Sequence, residues 1–148
     1  YAGYVQRVTP ELGAEFGITR STFSGNARYD YTEVFAGMLN ERWSLRACYA
    51  ADYFGFDQPT LYLELDANAP LTPRLRVFGH VGALGALDAR PADGGRRTRA
   101  DLRLGLGLAA TASVDVQLAW VAATRGGPYV ADYGSRRNTF VLSAIASF

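Results

Sequence analysis

Few groups in this 148-residue chain are able to do chemistry. His80 is its single histidine and Cys48 its single cysteine. Histidine ordinarily titrates near neutrality, so His80 is the first place to look for acid–base work. A cysteine becomes a nucleophile only where a base or cation favours its thiolate. His80 falls on the polar side of its segment, where Asp66 or Glu64 can pair with it across a hairpin. Cys48 falls beside Arg46 and Asp52 with no identifiable histidine partner, and reads as a small filler. One histidine and one cysteine supply no Cys/His ligand spacing, so neither a metal site nor a cofactor is expected. Gly105-Leu106-Gly107 superficially matches part of a dinucleotide fingerprint, but alternation continues through it and no helix follows. No catalytic residue is therefore expected. What remains is a set of mid-segment polar groups: Glu33, Arg46, Asp52, Glu64, Asp66, Arg76, His80, Asp101, Arg103 and Asp115.

The elements that carry these groups are read from a period of two. Leu61, Leu63, Leu65, Ala67, Ala69 and Leu71 share one face, while Tyr62, Glu64, Asp66 and Asn68 share the other. Ala100, Leu102, Leu104, Leu106, Leu108 and Ala110 alternate in the same way with Arg99, Asp101, Arg103, Gly105 and Gly107. Trp43, Leu45, Ala47, Tyr49, Ala51 and Tyr53 alternate with Ser44, Arg46, Cys48 and Asp52. Successive strand side chains point to opposite faces, so each segment is a strand with one apolar side. Extended along the chain, the rule gives about nine strands. They lie near 1–8, 12–23, 29–39, 43–54, 60–71, 75–87, 99–111, 114–125 and 139–148. Several approach the roughly 9–11 residues that a tilted strand needs to cross a bilayer. Short turns at 9–11, 40–42, 72–74 and 112–113 alternate with longer polar loops at 24–28, 55–58, 88–98 and 126–138. Outer-membrane barrels have that alternation, with short periplasmic turns and longer outer loops.

Composition agrees with strands and narrows the function. Glycine numbers 16 and aromatics make up 13% of the residues, a mixture suited to tight turns and strands. Fifteen basic residues against 14 acidic ones leave a net charge of +1, without the basic excess of a nucleic-acid binder. Lysine is absent. No apolar run reaches the length of a membrane helix, but barrel strands conceal their hydrophobicity by alternating. Mixed charges at mid-strand suit a wet or salt-bridged lumen. Trp43, Tyr53, Phe54 and Phe56 gather near strand ends, where amphipathic rings form an interfacial girdle. The last segment, Thr139 to Phe148, places Phe140, Leu142, Ala144, Ala146 and Phe148 on one face, and Phe148 reads as a C-terminal insertion signal for outer-membrane assembly machinery. A hydrophobic final strand left uncovered in water would invite aggregation. The expected fold is thus an all-β antiparallel transmembrane barrel in a bacterial outer membrane, in contact with lipid. Arg90, Arg96, Arg97, Arg99, Arg136 and Arg137 in the long loops are candidates for contacting lipopolysaccharide phosphates.

Tyr29-Asp30-Tyr31-Thr32-Glu33-Val34-Phe35-Ala36-Gly37, then Asp52-Tyr53-Phe54-Gly55, then Leu61-Tyr62-Leu63-Glu64 resemble the TorF family of proteobacterial porins. The spacing of these blocks and the terminal Phe148 fit the same pattern, and the resemblance covers most of the chain. It implies an outer-membrane barrel that passes small solutes, and it carries no catalytic residues. The family's early strands have no counterpart here, and Tyr1-Ala2-Gly3-Tyr4 resembles an internal strand. The chain opens on Tyr1, so it is expected to be a processed product or a fragment. Nine antiparallel strands cannot close on themselves, so about three more are expected before Tyr1, making a single barrel domain of about twelve. The alternative is a non-conducting barrel that anchors or packs against a protein partner or further copies of itself.

Overall fold

The computed structural model describes residues 1–88, 98–124 and 138–147. They form β1 Ala2–Arg7, β2 Gly13–Ser21, β3 Tyr31–Leu39, β4 Trp43–Ala50, β5 Thr60–Pro70, β6 Leu75–Ala86, β7 Thr98–Ala109, β8 Val114–Ala123 and β9 Asn138–Ala146. Each strand pairs with the next in one nine-stranded antiparallel sheet whose edges are β1 and β9. Among the described residues the helical elements are two single 3-10 turns, Ala27–Tyr29 and Tyr53–Gly55. No helix there is long and apolar enough to cross a membrane.

The short turns share one local cause. A threonine or asparagine opens each turn, and its side-chain oxygen accepts from backbone N–H groups two or three residues on, fixing a reversal without further packing. Thr9 accepts from Glu11 and Leu12, and Asn40 from Arg42 and Trp43. Thr72 accepts from Arg74 and Leu75, and Thr111 from Ser113.

The opposite end departs from the simple alternation. β3 begins at Tyr31, not near residue 29, because Asn26 accepts from the Arg28 amide and starts a 3-10 turn. β4 stops at Ala50, not near residue 54. Beyond it, Asp52 accepts from the Asp57 amide at 2.6 Å. Phe54, Gly55 and Asp57 take φ of 55°, 67° and 53°, a left-handed conformation that no strand continues through. For a ring as large as Phe54 that conformation costs free energy, and contacts with Phe23, Tyr31 and Tyr53 at 4.7–5.3 Å help to hold it.

Register then fixes what each face carries. Met38, Leu45, Leu65, Val81 and Leu102 stand side by side across β3 to β7. All five are exposed, at 39–47%. Each keeps roughly two-fifths of its surface in water, so of the about 1.5–3 kcal/mol that full burial brings it forgoes about 1, and the row about 5 kcal/mol. That is a large share of a typical domain's margin of stability. The shielded face is the other one: Phe35, Ala50, Leu84 and Ala119, the buried hydrophobics among the described residues, lie on it with the charged groups. The usual order of a water-soluble sheet is inverted.

Candidate functional site

The shielded face is organised by a second row, one residue along from the leucines. Glu15, Gly37, Arg46, Glu64, Gly82 and Asp101 are successive partners across β2 to β7. The glycines stand where long side chains must pass. The Arg46 Nε donates to Glu15 Oε1 at 2.9 Å, spanning from β4 to β2 over Gly37. A Cβ at Gly37 would lie 2.6 Å from the Leu45 carbonyl oxygen and 3.1 Å from that carboxylate. The other side of Arg46 meets Glu64 at 3.5 Å, and its guanidinium lies 4.9 Å from the centre of the Phe35 ring.

The row continues into the histidine. Asp66 and His80 are direct cross-strand partners, and Asp66 Oδ1 lies 2.9 Å from His80 Nδ1. The pairing across the hairpin anticipated for His80 is therefore present, with Asp66 as its partner. The second ring nitrogen, Nε2, lies 3.0 Å from Asp101 Oδ1 and 3.0 Å from the Tyr62 hydroxyl. Tyr62 reaches from β5 over Gly82 to Asp101 on β7, where its hydroxyl donates at 3.3 Å. A Cβ at Gly82 would collide with the Tyr62 hydroxyl and come 2.8 Å from Asp101. Glu64, Asp66 and His80 each bring one potential ligand atom within 4.8 Å of the other two.

A separate cluster stands nearer the short turns. Arg76 on β6 crosses Gly107 to grip Asp115 on β8 with two hydrogen bonds, 2.6 and 2.8 Å. The parallel fork suits a planar guanidinium against a carboxylate. Gln117 donates to Asp115 at 2.8 Å and accepts from Arg103 at 3.0 Å, and Arg103 lies 4.8 Å from the centre of the Phe78 ring.

Of the residues singled out by sequence, Glu33, Arg46, Glu64, Asp66, Arg76, His80, Asp101, Arg103 and Asp115 all belong to this shielded face. Glu33 borders a cavity of about 340 Å³ with Tyr31, Tyr53, Tyr62, Arg99 and Asp101. Asp52 does not belong with them: it lies past the end of β4 and braces the following loop. Trp43 opens β4 at the short-turn end, as anticipated near a strand end. Tyr53 and Phe54 sit in the 3-10 turn, with Phe56 just after it. They pack with Phe23, Tyr29 and Tyr31 into a cluster that ties two loops together, so these rings do not simply cap strand ends. Phe148, Arg90, Arg96, Arg97, Arg136 and Arg137 lie outside the described residues. Glu15, Gln117, Gly37 and Gly82 were not singled out, since their part depends on register two strands away.

Comparison with known protein families, with curated proteins and with solved structures finds no match for this chain. The geometry alone therefore carries the functional reading.

Proposed function

We propose that this chain forms most of the wall of a bacterial outer-membrane β-barrel, a narrow porin for small solutes. The carrying observation is the inverted sheet, with an exposed row of Met38, Leu45, Leu65, Val81 and Leu102 backed by a shielded row of paired charges. A lipid-facing surface turns that exposed row from a liability into a source of stability, and a wet lumen suits the charges. Strand length agrees: β5 to β8 run to 11, 12, 12 and 10 residues. Both edge strands run in the same direction, so antiparallel closure takes an odd number of further strands; three make a barrel of about twelve, as in the TorF-like pattern. Lipid and lipopolysaccharide are the surrounding partners in this reading.

A second reading draws on the crossing side chains. Arg46, Tyr62 and Arg76 each span an intervening strand and occupy space that an open channel would leave to water. A barrel filled in this way anchors or packs and does not conduct. The test is single-channel conductance of the full-length gene product refolded into planar bilayers. Discrete, reproducible steps are the expected result. An inserted barrel without steps supports the sealed form, and failure to insert at all overturns both readings.

A further inference from the structure

We propose that Glu64, Asp66 and His80 bind a divalent transition-metal cation, of the class that includes zinc, on the charged face of the sheet, where Asp66 is exposed and Glu64 and His80 are half-buried. The site needs only β5, β6 and β7 and is independent of whether the barrel conducts.

Four observations converge on it. The ligand atoms of the three residues lie within 4.8 Å of one another. His80 Nδ1 and Asp66 Oδ1 are 2.9 Å apart, and ligands at the tetrahedral angle on bonds of about 2.0–2.1 Å stand roughly 3.3–3.4 Å apart, so the pair needs to open by only about 0.4 Å. The far side of the ring is already braced, since Nε2 lies 3.0 Å from Asp101. Metal-bound histidines characteristically donate their other N–H to a carboxylate, which fixes the tautomer and turns the second lone pair to the ion. With the ring proton on Nε2, Nδ1 offers its lone pair beside Asp66. Finally, a cavity of about 290 Å³ opens against Asp66, Asn68 and His80, giving an ion a path in and room for water in its remaining positions.

Electrostatics and ligand chemistry select the ion. Glu64, Asp66 and Asp101 bring three carboxylates to the histidine, while Arg46 divides its charge between Glu64 and Glu15. Arg103 lies opposite His80 in register and borders the same cavity, and its guanidinium donates to Gln117 and lies over the Phe78 ring; its one positive charge offsets part of the three carboxylates and leaves the rest to a cation. One imidazole with two carboxylates suits zinc and its first-row neighbours. Calcium and magnesium favour shells made of oxygen alone.

The test is calorimetric titration of zinc into the full-length protein folded in detergent micelles, with calcium as the comparison. The expected result is one saturable zinc per chain that calcium does not compete away. His80→Gln and Asp66→Asn should each weaken binding at least about tenfold, and Asp101→Asn about 10–100-fold through its hold on the ring. Cys48→Ser should bind as the parent does, which separates this site from the nearby thiol. On the unaltered protein, zinc should also protect His80, its single histidine, from acylation by diethyl pyrocarbonate. That measurement decides the matter even where a variant does not fold. No saturable binding, binding that survives His80→Gln, or no protection of His80 each overturns the proposal.

Discussion

The shielded face holds two polar clusters built by one device, and they end with opposite charge. Around His80, the carboxylates of Glu15, Glu64, Asp66 and Asp101 outnumber the arginines near them: Arg46 bonds Glu15 and Glu64, Arg103 stands opposite the ring in register, and Arg99 borders a cavity with Asp101. Around Asp115, two arginines, Arg76 and Arg103, surround a single carboxylate with Gln117 between them. In both, a glycine on an intervening strand lets a long side chain reach two strands away. The difference teaches that crossing side chains account for shape, whereas the residues left over account for function. The Asp115 cluster closes on itself through two hydrogen bonds from one guanidinium. The His80 cluster retains more negative charge than its own partners neutralise, and a cation-seeking site follows from that excess.

The sharpest break in the comparison comes from filling a glycine slot. Gly37→Ala puts a methyl group 2.6 Å from a backbone oxygen, which cannot swing aside as a side-chain tip can. It should force β3 and β4 apart, cut the hold of Arg46 on Glu15 and cost about 3 kcal/mol. Gly79→Ala, on the exposed face of β6, meets nothing closer than 3.7 Å and should cost about 1 kcal/mol at most. Urea unfolding of the two variants in micelles separates them; equal losses would mean that the slots carry no special role.

Removing the cations sharpens the comparison at a lower magnitude. Arg46→Ala leaves the half-buried Glu15 and Glu64 facing each other without their guanidinium, and should cost about 1–3 kcal/mol. Arg76→Ala strips the guanidinium from one carboxylate, Asp115, which is more exposed than Glu15 or Glu64 and so better solvated when left alone, and should lower the urea midpoint less. The Arg46 loss should also persist in high salt better than the Arg76 loss, since shielded pairs are screened less. A reversed order would show that the cluster nearer the turns, not the central row, holds the sheet together.

How much of this was legible beforehand depends on the range of the interaction. The strands were legible because alternation is a local property, and Thr9, Asn40, Thr72 and Thr111 mark their reversals within three residues. That His80 meets a carboxylate of β5, Asp66 or Glu64, was legible because a short turn joins β5 to β6, and the register then selects Asp66. Tyr53 and Phe54 misled because aromatic residues suit strands and loops alike, and nothing local announces the left-handed backbone of Phe54. Asp52 misled through the same strand end. The second carboxylate on His80, Asp101, was hidden for a different reason: between β6 and β7 lies a long connection whose length fixes no register. Gly37 and Gly82 likewise acquire their meaning only once three strands are in line.

The smallest expected effect joins the comparison to conduction. Arg103 stands where the two clusters meet, opposite His80 in register and bonded to Gln117. Its positive charge offsets the carboxylate excess beside it. Arg103→Gln keeps a polar side chain of similar reach but removes that charge, so the neighbourhood of Asp66 and Asp101 becomes more negative. Fixed charges along a pore lining set which ions enter it. In a conducting barrel the variant should therefore shift the reversal potential under a salt gradient toward greater cation preference, by a few-fold in permeability ratio and no more, because Asp115 keeps Arg76 beside it. The opposite variant, Glu64→Gln, should move the potential the other way. Two shifts of opposite sign place the permeating ions between the clusters. Two potentials that match the parent place them elsewhere, and leave the excess carboxylates to the histidine alone.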